Sequence, residues 1–281
     1  MIIKDLKKMF LQFWLNDNKN TALIRDIAVA IFAVLVILLL LWTYTGQWFS
    51  APIVAIESGS MEHPENPPFG RLGTIDAGDM VLVQRVYTID DIVTHGGDLG
   101  GAKAKSCCET YGDYGDVIIY HPDGDTKRTP IIHRAICWVE VEINHGRRTY
   151  TIKEFGIYNE ASIGPISELG LGRSVTPDWE HSGFLTKGDH NELFDNLPNQ
   201  GIPESTQPVK LEWISGKARQ EIPWFGTINL FFSDIMNGTS NVGNVHDDCL
   251  LCFGIVIAIL VSIPIFLDIK DYLRQKNKEQ Y

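Results

Sequence analysis

The sequence IAVAIFAVLVILLLLWTYT (residues 27–45) contains no charged residue and is dominated by aliphatic side chains. As a helix it would span roughly 30 Å of hydrocarbon, and Trp42 and Tyr44 near its end suit the membrane interface. A cleaved signal peptide would have a shorter apolar stretch nearer the start of the chain. We therefore expect a retained transmembrane helix at residues 27–46, preceded by a tail of residues 1–26.

A second apolar run lies near the other end of the sequence. Residues 250–267 carry no charge and include Pro264, which a membrane helix tolerates near one end. This run predicts a second transmembrane helix at residues 250–267. The alternative is a helix buried in the protein core, because such a helix has the same composition.

Basic residues lie on the outer sides of both apolar runs. Because Lys and Arg concentrate in the cytoplasmic segments that flank membrane helices, we expect residues 1–26 and 268–281 to be cytoplasmic tails. Residues 47–249 would then form one extracytoplasmic domain of a cell-membrane protein with two spans. The basic residues concerned are Lys4, Lys7, Lys8, Arg25, Lys270, Arg274, Lys276 and Lys278.

The charge of the chain is concentrated in its central region. The net charge is −11, and residues 27–249 hold 15 Lys and Arg against 29 Asp and Glu. An acidic surface repels a phosphate backbone. The composition therefore argues against nucleic acid as a partner of the central region, and it agrees with export of that region.

Short runs with strand character follow the first apolar segment, each bounded by Gly, Pro, Asp or Asn. No long amphipathic helices separate them, which favours an antiparallel β domain over a parallel βαβ array. The expected fold is mainly β, flanked by two transmembrane helices. Polar insertions at residues 62–77, 88–114 and 157–183 are expected to be surface loops. The runs are residues 53–56, 80–83, 117–120, 131–132, 136–141 and 149–152.

Two cysteines have the spacing of half a zinc site. Cys249 and Cys252 are three residues apart, but no second pair of ligands lies near them in the sequence, and they begin an apolar run. A structural zinc ion requires four ligands. We therefore expect no metal site, and no cofactor is expected either.

The sequence ESGSME (residues 57–62) places Ser60 in a short turn. Gly59 allows a sharp backbone conformation, so that the Ser60 hydroxyl and the Ser60 amide can both face a substrate carbonyl. Ser58 could lend a second donor to the oxyanion that forms. Alone, this pattern is more often an ordinary loop, since a serine hydroxyl needs a base before it acts as a nucleophile.

His133 is the candidate base. It lies in the short apolar segment IIHR (residues 131–134), and a neutral imidazole can accept a proton near neutral pH. The alternative for His133 is a half-buried structural histidine. Two other histidines compete for the same role, His63, which is nearest to Ser60 in sequence, and His190.

A carboxylate is needed to orient the base and to stabilise its protonated form. Asp189 and Asp195 both lie in the segment FLTKGDHNELFD (residues 184–195), and either could serve. Gly-Asp pairs are also common in turns, because Asp bonds to nearby backbone groups. A turn is an even stronger alternative for Gly78-Asp79 and Gly115-Asp116, because each pair stands at the start of a predicted strand.

These segments resemble, in their order, the sequence boxes of type I signal peptidases. The resemblance is to the archaeal and endoplasmic-reticulum branch, in which a histidine takes the place of the lysine of bacterial members. It covers residues 57–195, and residues 222–226 resemble the closing segment of the family. The matching boxes are SGSME (58–62), GDMV (78–81), GDVI (115–118), IIHR (131–134) and TKGDHN (186–191).

The resemblance implies a role for each of these residues. Ser60 would be the nucleophile and His133 the base, with Asp195 as the favoured carboxylate and Asp189 in support. Residues 62–77 are an insertion where the family has a proline directly after the glutamate. His190 also stands where an asparagine is usual. The two spans, without a large extra domain, suggest an archaeal source.

The implied function is that of a membrane-bound serine endopeptidase, which removes N-terminal signal peptides from exported preproteins after small residues. Its expected partners are the signal peptides, the lipid bilayer and, as a further candidate, the protein translocation channel. The alternative is a non-catalytic, membrane-anchored extracellular β domain that binds envelope or secretory partners.

Overall fold

The computed structural model of the chain describes residues 14–15, 18–48, 50–63, 68–96, 109–197, 202 and 205–279. The chain divides into two compact units, Met1–Pro52 and Ile53–Tyr281. Among the described residues, the first unit holds one long apolar helix. Those of the second unit include the β strands and two further α-helices, and the candidate site residues all lie in this unit.

Helix α1 (Lys19–Thr45) contains the first apolar run. The side chain of Asn18 caps its start by accepting a hydrogen bond from the amide of Asn20 at 3.1 Å. Gly46 ends it in the left-handed region at φ 70°, and its amide donates to the carbonyl of Trp42. The helix begins eight residues before the predicted span, so it includes part of the predicted tail, of which residues 1–13 and 16–17 lie outside the described chain. It is long and apolar enough to cross a membrane.

Two further helices follow the last strand of the second unit. Helix α2 (Gly226–Asn237) is short and ends at Gly238, whose φ is 68°. Helix α3 (Asp247–Glu279) contains the second apolar run, with Pro264 inside it. None of the apolar window of α3 is buried within the protein, so the alternative of a buried core helix is wrong. By length and composition α3 could cross a membrane.

The second unit is built on an antiparallel β sheet, as the sequence predicts. Within the described residues, eight strands form this sheet, and β3 and β4 form a separate hairpin. The strands are β1 (Ile53–Ala55), β2 (Met80–Gln84), β3 (Glu109–Thr110), β4 (Asp113–Tyr114), β5 (Val117–Tyr120), β6 (Ile131–Asn144), β7 (Arg147–Ile152), β8 (Ile157–Glu160), β9 (Gly183–Lys187) and β10 (Ile214–Ile222).

The sheet follows the order β1-β2-β10-β5-β6-β7-β8, and β9 also pairs with β6. Strand β6 is the organising element, because it pairs with β5 near its start, with β9 in its middle and with β7 near its end. Every one of these pairings is antiparallel. The mainly β fold class is therefore confirmed.

Several details of the strands differ from the prediction. Strands β3 and β4 lie inside residues 88–114, which were predicted to be loop, and β9 and β10 are not among the predicted runs. Residues 131–132 and 136–141 belong to the single strand β6, because His133 and Arg134 between them are buried with polar partners and do not interrupt the ladder. Strand β8 lies inside residues 157–183, which were predicted to be loop. It has one half-buried residue and three exposed ones, so it lacks the apolar signal of a strand.

Strand β5 separates two parts of the core. Side chains alternate along a strand, and accordingly Val117 and Ile119 pack in a cluster with Met61, while Ile118 and Tyr120 pack in another cluster with Phe184. In the β5–β6 ladder His133 is the direct partner of Ile118, and paired residues face the same side of a sheet. The imidazole of His133 therefore lies on the Tyr120 side of the sheet.

Candidate active site

Ser60 lies in a turn five residues beyond the end of β1. The amide of Glu62 donates to the carbonyl of Gly59 at 3.2 Å and closes this turn. The Ser60 side chain is half-buried, and its Oγ lies 2.9 Å from Nε2 of His133. The candidate nucleophile is thus within hydrogen-bonding distance of the candidate base, as proton transfer requires.

His133 is held on β6 and is 3% exposed. Its Nδ1 lies 2.6 Å from Oδ2 of Asp195, on the opposite side of the ring from Ser60. If Nδ1 carries a proton that it donates to Asp195, Nε2 has a lone pair directed at the Ser60 hydroxyl. This chain of Ser60, His133 and Asp195 is the arrangement that activates a serine for nucleophilic attack.

Asp195 is buried and positioned by residues on two strands. Oδ2 of Asp195 accepts from Oγ1 of Thr186 at 2.7 Å and from the hydroxyl of Tyr120 at 3.1 Å. Burial, together with the charge of Asp195, raises the pKa of Tyr120 well above its usual value, so Tyr120 remains a hydrogen-bond donor. The backbone amide of Asp195 also donates to the carbonyl of Thr186 at 2.8 Å. The carboxylate therefore has a fixed orientation toward His133.

Asp189 has different partners. It forms a two-point ion pair with Arg134, in which Nε lies 2.8 Å from Oδ1 and Nη2 lies 2.5 Å from Oδ2. Its Oδ2 also lies 2.9 Å from Nε2 of His63. Burial alone would raise the pKa of Asp189, but the hydrogen bonds from Arg134 and His63 outweigh it and lower that pKa. The structure thus brings Asp195 and not Asp189 to His133.

Arg134 links Asp189 to the core. It is fully buried, and its guanidinium donates to the carbonyls of Thr110 and Gly115 at 3.1 and 2.8 Å. A buried charge needs both a counterion and hydrogen bonds, and Arg134 has both. Asp189 therefore belongs to a structural ion pair, whose other member, Arg134, is the residue after His133 on β6.

The two rival bases lie near Ser60 but in other roles. His63 bonds to Asp189, and this hydrogen bond raises the pKa of His63 against a smaller opposing effect of burial. His190 approaches Ser60 through its backbone, because its amide donates to the Ser60 carbonyl at 3.0 Å, while its side chain is exposed. Of the three histidines, His133 is the one whose ring reaches Oγ of Ser60.

Gly188 allows these groups to approach one another. A Cβ added at this position would stand 2.6 Å from the Ser60 carbonyl oxygen and 2.9 Å from Nε2 of His133. Any larger residue would displace the nucleophile or the base. The glycine of the TKGD segment thus serves close packing at the site.

The other Gly-Asp pairs have structural roles. Gly78 and Gly115 adopt φ values of 94° and 88°, which favour glycine. Asp79 accepts from the amide of Trp224 at 2.8 Å, and burial raises the pKa of Asp79 to about 7. Asp116 pairs with Lys217 at 2.8 Å. Neither carboxylate reaches Ser60 or His133 through the bonds it makes in the described chain.

A cavity of about 520 Å³ opens beside Ser60 and His133. Residues 54–58 and residues 129–133 both line it. Its apolar lining includes Val54, Ile56 and Ile119, so it suits small apolar side chains. Ser58 also lines it, and Oγ of Ser58 lies 3.3 Å from Oγ of Ser60. A chain bound here would pass directly in front of the candidate nucleophile.

Three residues of the site were not predicted as such from the sequence, namely Tyr120, Thr186 and Arg134. Thr186 and Arg134 lie within the TKGD and IIHR segments, and their positions beside Asp189 and His133 are the signal that could have singled them out. Tyr120 gives no such signal, because it lies at the end of an apolar strand and its hydroxyl meets Asp195 only in the folded chain.

The site therefore contains a hydrogen-bonded series of a serine, a histidine and a buried aspartate. This series lies at the wall of the cavity, which we call the apolar groove. Its polar members come from a turn after β1, from β6 and from the segment after β9. A scan against protein-family models finds no match to this chain, and a search of the curated proteins finds none either.

Proposed function

We propose that the protein is a membrane-bound serine endopeptidase that removes N-terminal signal peptides from exported preproteins. The observation that carries this proposal is the hydrogen-bonded series of Ser60, His133 and Asp195, with contacts of 2.9 and 2.6 Å, beside an apolar groove. The order of the sequence boxes, which resembles that of type I signal peptidases, supports the choice of substrate.

In the proposed acylation, Oγ of Ser60 attacks the carbonyl carbon of the scissile bond as Nε2 of His133 takes the hydroxyl proton. Asp195 stabilises the imidazolium. The amide of Ser60 and the hydroxyl of Ser58 are the candidate donors to the oxyanion. His133 then passes its proton to the leaving amine, and the C–N bond breaks. Water repeats these steps with His133 as base and releases the acyl group.

The groove supports an extended substrate. In the described chain β1 pairs with β2 alone, so its other edge is open for main-chain hydrogen bonds to a bound peptide. Alternate side chains of that peptide would enter the groove. Because the walls are formed by branched apolar residues, including Ile132 from the start of β6, small side chains are favoured by exclusion of larger ones.

The two apolar helices support a location at the cell membrane. With both basic tails in the cytoplasm, the β domain lies on the extracytoplasmic side, where a signal peptide becomes accessible after export. The partners that follow from this are the membrane-held signal peptide, the bilayer and the protein translocation channel as a further candidate.

The test compares the purified full-length parent with Ser60→Ala and with a matched control, Ser167→Ala. Ser167 is exposed at the start of a short 3-10 helix (Ser167–Leu169) and bonds to Glu168. The substrate is a preprotein with a labelled signal peptide, and cleavage is followed by gel. We expect Ser60→Ala to lower the rate by more than about 10³-fold and Ser167→Ala to leave it unchanged. Equal cleavage by all three proteins would favour the non-catalytic alternative.

A further inference from the structure

A series of buried polar side chains extends from Asp195 into the core. Tyr120, Asn196 and Ser205 are all fully buried, and Tyr120 lies in a core cluster that also contains Phe184. Burying a polar group in apolar surroundings costs free energy unless the group is hydrogen-bonded. The partners of these three side chains therefore indicate what holds them in the core.

The series begins at Asn196, whose side-chain amide has one orientation. Its Oδ1 accepts from the backbone amide of Thr186 at 3.0 Å, and its Nδ2 donates to the carbonyl of Gln207 at 2.8 Å. Turning the amide over would place donor against donor and acceptor against acceptor. Nδ2 also lies 3.3 Å from Oγ of Ser205. Because an amide nitrogen only donates, the direction of this bond is fixed from Asn196 to Ser205.

The same direction continues through Ser205 to Tyr120. Oγ of Ser205 accepts from Asn196 and donates its own proton to the hydroxyl of Tyr120 at 3.4 Å. Burial, more than any other effect, raises the pKa of Tyr120 well above its usual value. Tyr120 therefore keeps a proton of its own, which it can donate onward.

The series ends at Oδ2 of Asp195. The Tyr120 hydroxyl lies 3.1 Å from this oxygen and 3.1 Å from Oγ1 of Thr186. Oδ2 is the stronger of the two acceptors because it is charged. The Thr186 hydroxyl itself donates to Oδ2 at 2.7 Å, so either route leads to the same oxygen. Three donors thus meet at Oδ2, and the third is Nδ1 of His133 at 2.6 Å.

This convergence bears on the proton of His133. An ionised carboxylate only accepts hydrogen bonds, so donors that point at Oδ2 favour the ionised state of Asp195. The proton between the two side chains then stays on Nδ1, and Nε2 keeps the lone pair that faces Ser60. Oδ1 of Asp195 is buried and makes no hydrogen bond within the described part of the chain, so the effect depends on the donors at Oδ2.

We propose that Asn196, Ser205 and Tyr120 are positioning residues, which form a one-way chain of hydrogen-bond donors to Asp195 and act through it on His133. Asn196 and Ser205 fix the direction in which the Tyr120 hydroxyl points, and Tyr120 supplies a donor to Oδ2. The effect of this donor chain on the rate rests on the proposed function. Its effect on the hydrogen bond between His133 and Asp195 does not, because that bond exists without substrate.

Backbone hydrogen bonds place Ser205 independently of its side chain. Val209 and Phe184 exchange two backbone hydrogen bonds, of 2.8 and 2.9 Å, which attach the segment after Ser205 to β9. The amide of Ser205 also donates to the carbonyl of Ile202 at 3.0 Å. Replacing Ser205 by Ala should therefore remove one hydroxyl from the donor chain and leave the segment in place.

The first test compares Tyr120→Phe with Tyr150→Phe in the full-length protein. Tyr150 is the matched control, because it is equally buried and its hydroxyl donates to the carbonyl of Pro177 in a different core cluster. Each variant loses one buried hydrogen bond, so both should have a lower melting temperature. We expect only Tyr120→Phe to lower kcat for cleavage of a labelled preprotein, by about tenfold at unchanged KM. Equal kcat values for the two variants would overturn the proposal.

Ser205→Ala tests the direction of the donor chain. Alone, this change should lower kcat by about threefold, less than Tyr120→Phe does, because Tyr120 keeps its hydroxyl. In the Tyr120→Phe background it should cause no further loss, because Ser205 acts through Tyr120. Losses that multiply in the double variant would show that Ser205 does not act through Tyr120.

A second measurement does not depend on cleavage. The proton on Nδ1 of His133 is observed by NMR in the full-length protein in detergent micelles, with isotope-labelled histidine, and His133→Gln identifies its signal. Tyr120→Phe should move this signal downfield, because Oδ2 then shares its charge between fewer donors and attracts the proton more strongly. Ser205→Ala should move the signal less in the same direction, and Tyr150→Phe should leave it unchanged.

The two measurements separate this proposal from the proposed function. A parent protein that cleaves no preprotein would overturn the proposed function, while the NMR signal would still decide the donor chain. An unchanged signal in Tyr120→Phe would overturn the donor chain even if the parent is active. If Tyr120→Phe fails to fold, Ser205→Ala decides in its place, because an unchanged signal in that variant also contradicts the proposal.

Discussion

Nε2 of His246 lies 3.0 Å from Oε2 of Glu62, so the residue before α3 contacts the segment that carries the candidate nucleophile. The Glu62 carboxylate also covers Gly59, since a Cβ added there would stand 2.6 Å from Oε1. Glu62 thus packs against the turn around Ser60, and His246, the residue before α3, fixes the position of its carboxylate. This pair connects the geometry of the site to an apolar helix outside it.

If the pair positions Ser60, His246→Ala should lower kcat for signal-peptide cleavage by roughly 10- to 100-fold and change KM little, because small misplacements of a reacting group have effects of that size. His246→Gln should restore much of the rate, since its amide can still donate to Glu62. The measurement is steady-state cleavage of a labelled preprotein.

His145→Ala is the control for this pair, because His145 is exposed in the turn between β6 and β7. A double variant, Glu62→Gln with His246→Ala, should lose little more than the worse single variant, because the two changes remove the same contact. Fully additive losses, or a change confined to KM, would show that the pair does not position Ser60.

The two aspartates near the site should respond differently to the same substitution. Asp195→Asn removes the negative charge beside His133 and introduces an NH2 group that can face Nδ1. It should lower kcat by about 10³-fold or more, because the imidazole loses its preferred tautomer and its protonated form loses a counterion. Asp189→Asn breaks the buried ion pair with Arg134 and should lower the melting temperature instead. Rates and melting curves of both variants test this, and equal rate losses at matched stability would contradict it.

Gly188→Ala tests the close packing at the site. The added methyl would lie less than 3 Å from the Ser60 carbonyl oxygen, the Asn191 side chain and Nε2 of His133. The site must open to admit it, so we expect kcat to fall by about 10²-fold. Gly164→Ala is a matched control, since an added Cβ at Gly164 would meet no atom within 4 Å. Similar rates for the two variants would show that the contact is not limiting.

The sequence predicts the coarse architecture because the decisive signals are local. An uncharged apolar run of about 20 residues predicts a membrane-length helix by itself, and short runs of branched residues predict strands such as β2 and β5. Strand β8 escapes prediction, because most of its residues are exposed. It is a strand because it forms backbone hydrogen bonds with β7, and its composition gives no sign of this pairing.

For the candidate site, sequence order indicates which residue types are present but cannot decide between Asp189 and Asp195. They are six residues apart in one segment. Their partners come from β5, β6 and β9 and from His63 after the serine turn. Which aspartate reaches His133 depends on the long-range pairing of β6 with β9, which brings Arg134 opposite Lys187. It also depends on the side of the sheet that His133, the neighbour of Arg134, faces. Such contacts exist only once the chain has folded, so no local pattern reveals them.

His63→Gln tests the hydrogen bond between His63 and Asp189 through pH. That bond raises the pKa of His63, so in the parent its charge stabilises the fold fully below the unfolded pKa of about 6.5. This stabilisation is lost as pH rises through the higher folded pKa. Gln keeps a donor to Asp189 but no charge. The parent should therefore melt above the variant at about pH 5, and this advantage should shrink toward about pH 8.

The expected change is a few degrees at most, since about 1 kcal/mol moves the melting temperature of a chain of this size by roughly 2–4 °C. His95 also gains from an aspartate, because its hydrogen bond with Asp113 raises the pKa of His95, so the parent alone would mix two titrations. Subtracting the His63→Gln curve from the parent curve isolates His63. A difference that stays constant from about pH 5 to about pH 8 would mean that His63 carries no extra charge in the folded protein.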